Sequence, residues 1–280
     1  MEAKPPKFIA GVPAEWEDFE RRNRLFLERY SHLSEALNVA FIRTLTQSEP
    51  IEKFVFGYGR LCCEDFSEVL LLSANGYGVG ATKLLRTLYE HAVTLHYLSE
   101  HPDELDNFWD YSYVTEHKLL KPIRETFGNE AFENSSIREA DIEERFSSVK
   151  GRFMITDCKK CGSKRLNHTW NKLDLVAMAK QAGSLGALIV PGYYGPLTQA
   201  HSHFASLASR LTLLENGGIS FVPDAQRKES DAALITAHNV ILHVLELQNT
   251  QFEIQGLQEK LQVCFQDFID VWKKPKTKSD

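Results

Sequence analysis

An arginine, a carboxylate and a histidine stand close together at Arg86, Glu90 and His91. A guanidinium is a permanent cation with five fixed donors, suited to a phosphate. An imidazole takes up and releases protons near neutral pH. Together they supply what metal-free phosphodiester chemistry asks of a protein: charge on the phosphate and a proton carrier at the reacting oxygens. The same spacing also fits a plainer role. Arg86 and Glu90, four apart on a helix, meet as an ion pair, and an arginine drawn into a bundle needs a carboxylate to offset its desolvation. His91 would then be a partly buried histidine bonded to a carbonyl or to water. On a straight helix Arg86 and His91 lie about 140° apart at ~100° per residue, so their cooperation calls for a helix end, a bend or a dimer partner.

A second chemical feature is Cys158-x2-Cys161, half of a zinc site's spacing, with His168 as the nearby third ligand. No second Cys-x2-Cys exists, so the expectation is two free thiols on a polar loop and no metal. Lys159, Lys160, Lys164 and Arg165 around them are the best placed cations for phosphate contacts, although charge runs usually mark a solvated loop. The chain has no Gly-x4-Gly-Lys-Ser/Thr loop, no Gly-x-Ser-x-Gly, no His-Glu-x2-His and no pair of Glu-x2-His motifs. Gly76-x-Gly78-x-Gly80 comes after a helical pattern rather than a strand, which excludes a dinucleotide fingerprint. No cofactor is implied.

The elements that must position these groups are helices. Trp16, Phe19, Phe26, Tyr30, Leu33, Leu37, Ala40 and Phe41 recur at three and four, predicting an amphipathic helix from Ala14 to about Thr46. Ser48-Glu49-Pro50 starts a second, which ends at Asn75-Gly76. The third carries Arg86 to Tyr97. Ala81, Leu84, Leu85, Leu88, Ala92 and Leu95 share one face, while Arg86, Glu90, Val93 and Tyr97 share the other, the pattern of a helix buried nearly all round. A fourth opens at His101-Pro102, and a shorter one covers Ala140–Phe153. Thr156–His168 has no periodicity, and a helix begins after Trp170. Ser184–Gly195 reads as a Gly/Pro-rich loop, and a helix from Pro196 carries His201 on to Leu214, ending at Asn216-Gly217-Gly218. The last helix runs from about Ser230 to Trp272 with a break near Gly256. The expectation is an all-α fold: a single bundle of seven or eight helices over residues 14–272, with a small irregular or hairpin segment near 217–228. An N-terminal arm covers 1–13 and a basic, disordered tail covers 273–280.

A net charge of −6 argues against nonspecific coating of nucleic acid, yet the average hides a gradient. Residues 100–145 hold 13 acidic and 5 basic side chains, and residues 150–172 hold 7 basic and 1 acidic, so a local basic patch remains. The N-terminus lacks a signal-peptide core, no run reaches the ~18–20 apolar residues that span a bilayer, and five cysteines suit reduced thiols better than a disulfide framework. A cytoplasmic protein without a membrane partner is expected.

Arg86-x4-His91 resembles the R-x4-6-H pattern of the HEPN superfamily, helical proteins that include metal-independent RNases of bacterial stress and defence systems. Thr87 stands where a polar Asn, Asp or His often comes after the arginine. Over roughly residues 70–250 the run Arg86-x3-Glu90, Tyr97, Tyr111, Trp170 and Tyr194-x3-Thr198-x2-His201 also resembles an uncharacterised family of mostly bacterial helical proteins, a domain of unknown function. The Cys-containing loop before Trp170 is an insertion relative to that pattern. The resemblance implies that Arg86, Glu90, Tyr194, Thr198 and His201 converge, with His201 as an acid/base candidate equal to His91. Two functions stay open. One is a metal-independent ribonuclease, with RNA as partner and a homodimer across the site. The other is a non-enzymatic binding module whose polar cluster is structural or holds a small anion.

Overall fold

The computed structural model describes residues 13–46, 48–133, 138–158, 160–201, 204–208, 210–221 and 225–273. The expected arm and tail, apart from Pro13 and Lys273, lie outside these residues, as does Lys159. The architecture is all-α with two small hairpins. The helices are α1 (Pro13–Arg22), α2 (Arg24–Phe41), α3 (Pro50–Ala74), α4 (Gly78–Glu100), α5 (Leu105–Phe127), α6 (Glu130–Glu133), α7 (Glu139–Val149), α8 (Leu175–Gln181), α9 (Gly195–Ala200), α10 (Phe204–Ala208), α11 (Arg227–Phe252) and α12 (Leu257–Trp272). The strands β1 (Met154–Thr156) and β2 (Lys164–Leu166) form one antiparallel pair, β3 (Leu211–Leu213) and β4 (Ile219–Phe221) the other. No described helix is long and apolar enough to cross a membrane.

The described residues pack as two compact units, one from those within 1–99 and 178–280 and the other from those within 100–177. In the first, α11 lies along α3 and α12 along α2. The capping box of Glu49 and Glu52 and Pro50 in the first turn start α3. Buried Gln248 donates to Val55 O (2.7 Å), fixing α11 against α3. The helix expected over residues 14–46 breaks at Asn23, whose N–H still reaches Phe19 O, and the last helix divides at Gly256, where φ is +76°. α4 buries Leu85, Leu88 and Ala92 on one side and Tyr89, Val93 and Tyr97 on others, as its two-sided apolar pattern requires.

Where α2, α11 and α12 meet, His238 is buried against Phe26 and Phe268, and Trp272 Nε1 donates to its Nδ1 (3.1 Å). Burial pulls its pKa from 6.5 down to about 4, against an opposing pull from Asp267. A folded-state pKa below the unfolded value means that the unfolded chain binds the extra proton between these two pH values. Stability therefore rises with pH through that window and is fully present above it, an effect on the order of 3 kcal/mol. Urea midpoints for the wild type are expected to fall from pH 7 to pH 4. His238→Gln, which keeps an acceptor for Trp272 but cannot take the proton, is expected to lose that part of the slope.

The second unit is built on α5 and α7, whose Val114, Phe146 and Val149 form a small core with Phe153. Tyr111, Tyr113 and Leu166 close over it, and His117 stacks flat on Phe146 at 3.7 Å. The polar segment Thr156–His168, expected to lack regular structure, supplies the turn and the second strand of the β1–β2 hairpin. Its turn is held by Asp157 N–H and Gly162 N–H donating to Ser163 O (2.8 Å) and Cys158 O (2.9 Å).

Candidate functional site

The face of α4 that carries Arg86 meets the segment leading into α9. Arg86 Nε donates to Glu90 Oε1 (2.6 Å), one turn on along the same helix. Its Nη1 donates to His201 Nε2 (3.2 Å), from the residue that caps the C-terminus of α9. The guanidinium also lies over the Tyr193 ring, 5.0 Å from its centroid. An arginine only donates, so Nε2 of His201 presents its lone pair in this arrangement. The cluster is open: the side chains of Arg86 and Glu90 are 21% and 38% exposed, and His201 is exposed. A cation, a carboxylate, an imidazole and an aromatic face are thus gathered at a surface where an anion can reach the arginine.

His91 belongs to a different group. Its Nδ1 donates to Oδ2 of buried Asp65 on α3 (2.7 Å), and the Tyr58 ring meets it edge-on at 5.5 Å. Burial pushes the Tyr58 hydroxyl up to about 12. Arg86 and His91 therefore have separate partners, as the angle between them on a helix leads one to expect. Tyr97 is buried in the core. Tyr194 is 46% exposed and touches Tyr193 at 5.4 Å, and Thr198 Oγ1 donates to Gly195 O (2.8 Å), serving its own helix. Lys160 lies exposed on the β1–β2 turn in the other unit. On that turn the Cys161 thiol is lowered to about 7 by hydrogen bonds from Ser163 and from Cys158. Among the described residues no group of three or more His, Cys, Asp or Glu side chains is arranged to hold a metal ion.

Two contacts had no signal in the motif spacing. Tyr193, rather than its neighbour Tyr194, lies under Arg86, on a single π-helical turn over Val190–Tyr194 that helical or loop periodicity does not foresee. Asp65 finds His91 only through the packing phase of α3 on α4. The π turn is seated by Tyr89, which reaches across to donate to Leu185 O (2.9 Å). Its ring leaves no room at Gly192, where a Cβ would come within 2.7 Å of Cδ2. Gly192→Ala is expected to cost about 1–3 kcal/mol through this overlap. Chemical denaturation measures the loss, and a stability equal to the wild type would show that the turn does not rest on the Tyr89 ring.

The family described as "Family of unknown function (DUF5677)" matches residues 52–219, a span that holds Arg86, Glu90, Tyr193 and His201 and more than half of the chain. No curated protein and no solved structure matches the chain.

Proposed function

The chain belongs to the DUF5677 family of unknown function, and we propose that this protein cleaves RNA without a metal at the Arg86–His201 cluster. The observation that carries this reading is the 3.2 Å approach of Arg86 Nη1 to His201 Nε2 on an open surface. In the resting site Nη1 occupies the lone pair that a base must use. An incoming phosphate is the stronger acceptor and draws the guanidinium to itself, which frees Nε2 for the ribose 2′-hydroxyl. The 2′-oxygen attacks phosphorus, its proton passes to Nε2, the bond from phosphorus to the 5′-oxygen breaks, and the 5′-oxygen takes a proton from a water that is re-protonated by the imidazolium, which returns His201 to its starting state. The products are a 2′,3′-cyclic phosphate and a 5′-hydroxyl end. Glu90 holds the guanidinium in place from the side away from the phosphate, and Tyr193 supports its face. His91, tied to Asp65, has a packing role in this scheme.

One observation favours a second reading: Arg86 is already engaged by Glu90, Tyr193 and His201. A cluster satisfied in this way also suits a non-enzymatic module that holds a small anion or ties α9 to α4. Incubation of purified protein with single-stranded RNA in EDTA, with mapping of the resulting ends, separates the two. Cyclic phosphate ends that vanish in His201→Ala support the nuclease; intact RNA at high enzyme concentration leaves the binding module.

A further inference from the structure

The turn between β1 and β2 carries two of the five cysteines, Cys158 and Cys161, both as free thiols. Gly162 turns the chain back after Cys161 at a φ of +71°, which favours glycine. Its N–H donates to Cys158 O (2.9 Å), and Asp157 N–H donates to Ser163 O (2.8 Å), so the turn is closed from both of its ends. Residues three apart in a tight turn lie within about 7 Å between Cα atoms, and disulfides usually span about 4.4–6.8 Å. The two sulfurs already meet. Cys161 Sγ accepts from the hydroxyl and N–H of Ser163 and from the Cys158 thiol, and these donors together lower its pKa to about 7.

The other three cysteines are set the opposite way. Cys62 and Cys264 are buried and Cys63 is partly so. Burial pushes all three thiols up, Cys63 to about 12 and Cys264 to about 11. Cys161 is the one exposed cysteine of the five, and a thiol that titrates near 7 is on the order of half thiolate at neutral pH, against a few per cent for an ordinary one. A tetrahedral zinc site takes four ligands, and among the described residues no third His, Cys, Asp or Glu joins the pair. A reactive thiolate with a second thiol against it is instead the arrangement of a redox-active pair. We propose that Cys158 and Cys161 form a reversible oxidation site for hydroperoxides, in which Cys161 reacts first and Cys158 closes a disulfide onto it. The Cys161 thiolate attacks one peroxide oxygen, the O–O bond breaks, and the leaving hydroxide recovers as water the proton that Cys161 had released. Cys161 is then a sulfenic acid, oxidised by two electrons. The Cys158 sulfur attacks the Cys161 sulfur, the S–O bond breaks, and the departing hydroxide leaves as water with the Cys158 proton. Two thiols and one hydrogen peroxide thus give one disulfide and two waters, and a small thiol reverses the step by exchange. The site uses none of the Arg86 cluster and stands whether or not that cluster cleaves RNA.

The full chain, first assayed for bound metal, is exposed to a slight molar excess of hydrogen peroxide at pH 7, alkylated and mapped by peptide mass. One Cys158–Cys161 disulfide per chain is expected, removed by dithiothreitol, while Cys62, Cys63 and Cys264 stay reduced. Cys161→Ser is expected to slow peroxide consumption at least about tenfold. Cys158→Ser is expected to leave Cys161 as a sulfenic acid that dimedone traps, which a merely structural cysteine pair would not yield. The proposal fails if both thiols stay free under conditions that oxidise glutathione. It fails equally if dimedone marks Cys158 in the Cys161→Ser chain and nothing in the Cys158→Ser chain. Zinc shared between two copies of the purified chain, with its thiols closed to peroxide, would assign the pair to a metal and overturn the oxidation site.

Discussion

His201→Ala is expected to lower RNA cleavage by about 10²–10⁴-fold, the range for removing a general base, while shifting Tm by no more than about 2 °C. The asymmetry comes from exposure: His201 is open to solvent at the end of a six-residue helix, and its hydrogen bond with Arg86 lies at the surface. Arg86→Ala is expected to lower cleavage comparably, since the phosphate charge loses its counterion. Its stability cost stays near 1 kcal/mol because Glu90, left behind, is solvated. Arg86→Lys separates charge from geometry. A lysine keeps the cation but loses the fork that meets Glu90, the ligand and the Tyr193 face together, so cleavage is expected to stay well below wild type. His91→Gln is the matched control, because its partner Asp65 lies on α3 and apart from Arg86. If His91→Gln stops cleavage in a folded protein and His201→Ala does not, the assignment to His201 is wrong. If a folded Arg86→Ala protein cleaves as the wild type does, the nuclease site is not at this cluster.

How far the sequence leads can be judged from these same residues. The Arg86–Glu90 contact is legible because both ends lie on one helix, where four residues fix the geometry. The start of α3 is legible for a similar reason, since Glu49, Pro50 and Glu52 are local chemistry. The partners of His91 and Arg86 on other elements are not, because helix packing phase has no local signature. The second half of the chain shows the limit most clearly. The helix expected from Pro196 to Leu214 ends at Ala200, resumes at Phe204–Ala208 and gives way to β3. Asn216-Gly217, whose position suggests a helix C-cap, instead turns the β3–β4 hairpin: Gly217 has φ of +77° and Leu214 N–H donates to Gly218 O (2.8 Å). Asn-Gly serves both purposes, and only the alternating Leu211, Leu213, Ile219 and Phe221 around it favour the hairpin. The Ser184–Gly195 stretch, rich in Gly and Pro, folds into 3₁₀ and π turns because Gly186 and Gly192 let backbone pass against Ala179 and Tyr89.

Gly78→Ala carries the largest expected loss of stability, about 3 kcal/mol. The Gly76-x-Gly78 pair that opens α4 is a docking surface for the start of α11. Gly76 O accepts Gln226 N–H (3.0 Å), and Gln226 Oε1 accepts Val79 N–H (3.1 Å). The two backbones come so close that a Cβ on Gly78 would lie 2.2 Å from Gln226 O and 2.6 Å from Ser230 N. Those are backbone atoms in the first turn of a long helix, so no side-chain rotation relieves the overlap and α11 must move away. The conformational argument alone points the other way, because alanine in a helix is worth up to about 1 kcal/mol over glycine. Gly57→Ala isolates that gain, since Gly57 lies inside α3 with nothing within 4 Å of a new Cβ. It is expected to raise Tm by about 2–4 °C, whereas Gly78→Ala lowers it by roughly 5–10 °C. Opposite signs for one chemical change can come only from what the methyl group meets, and equal shifts would mean that α4 and α11 do not touch through backbone at this point.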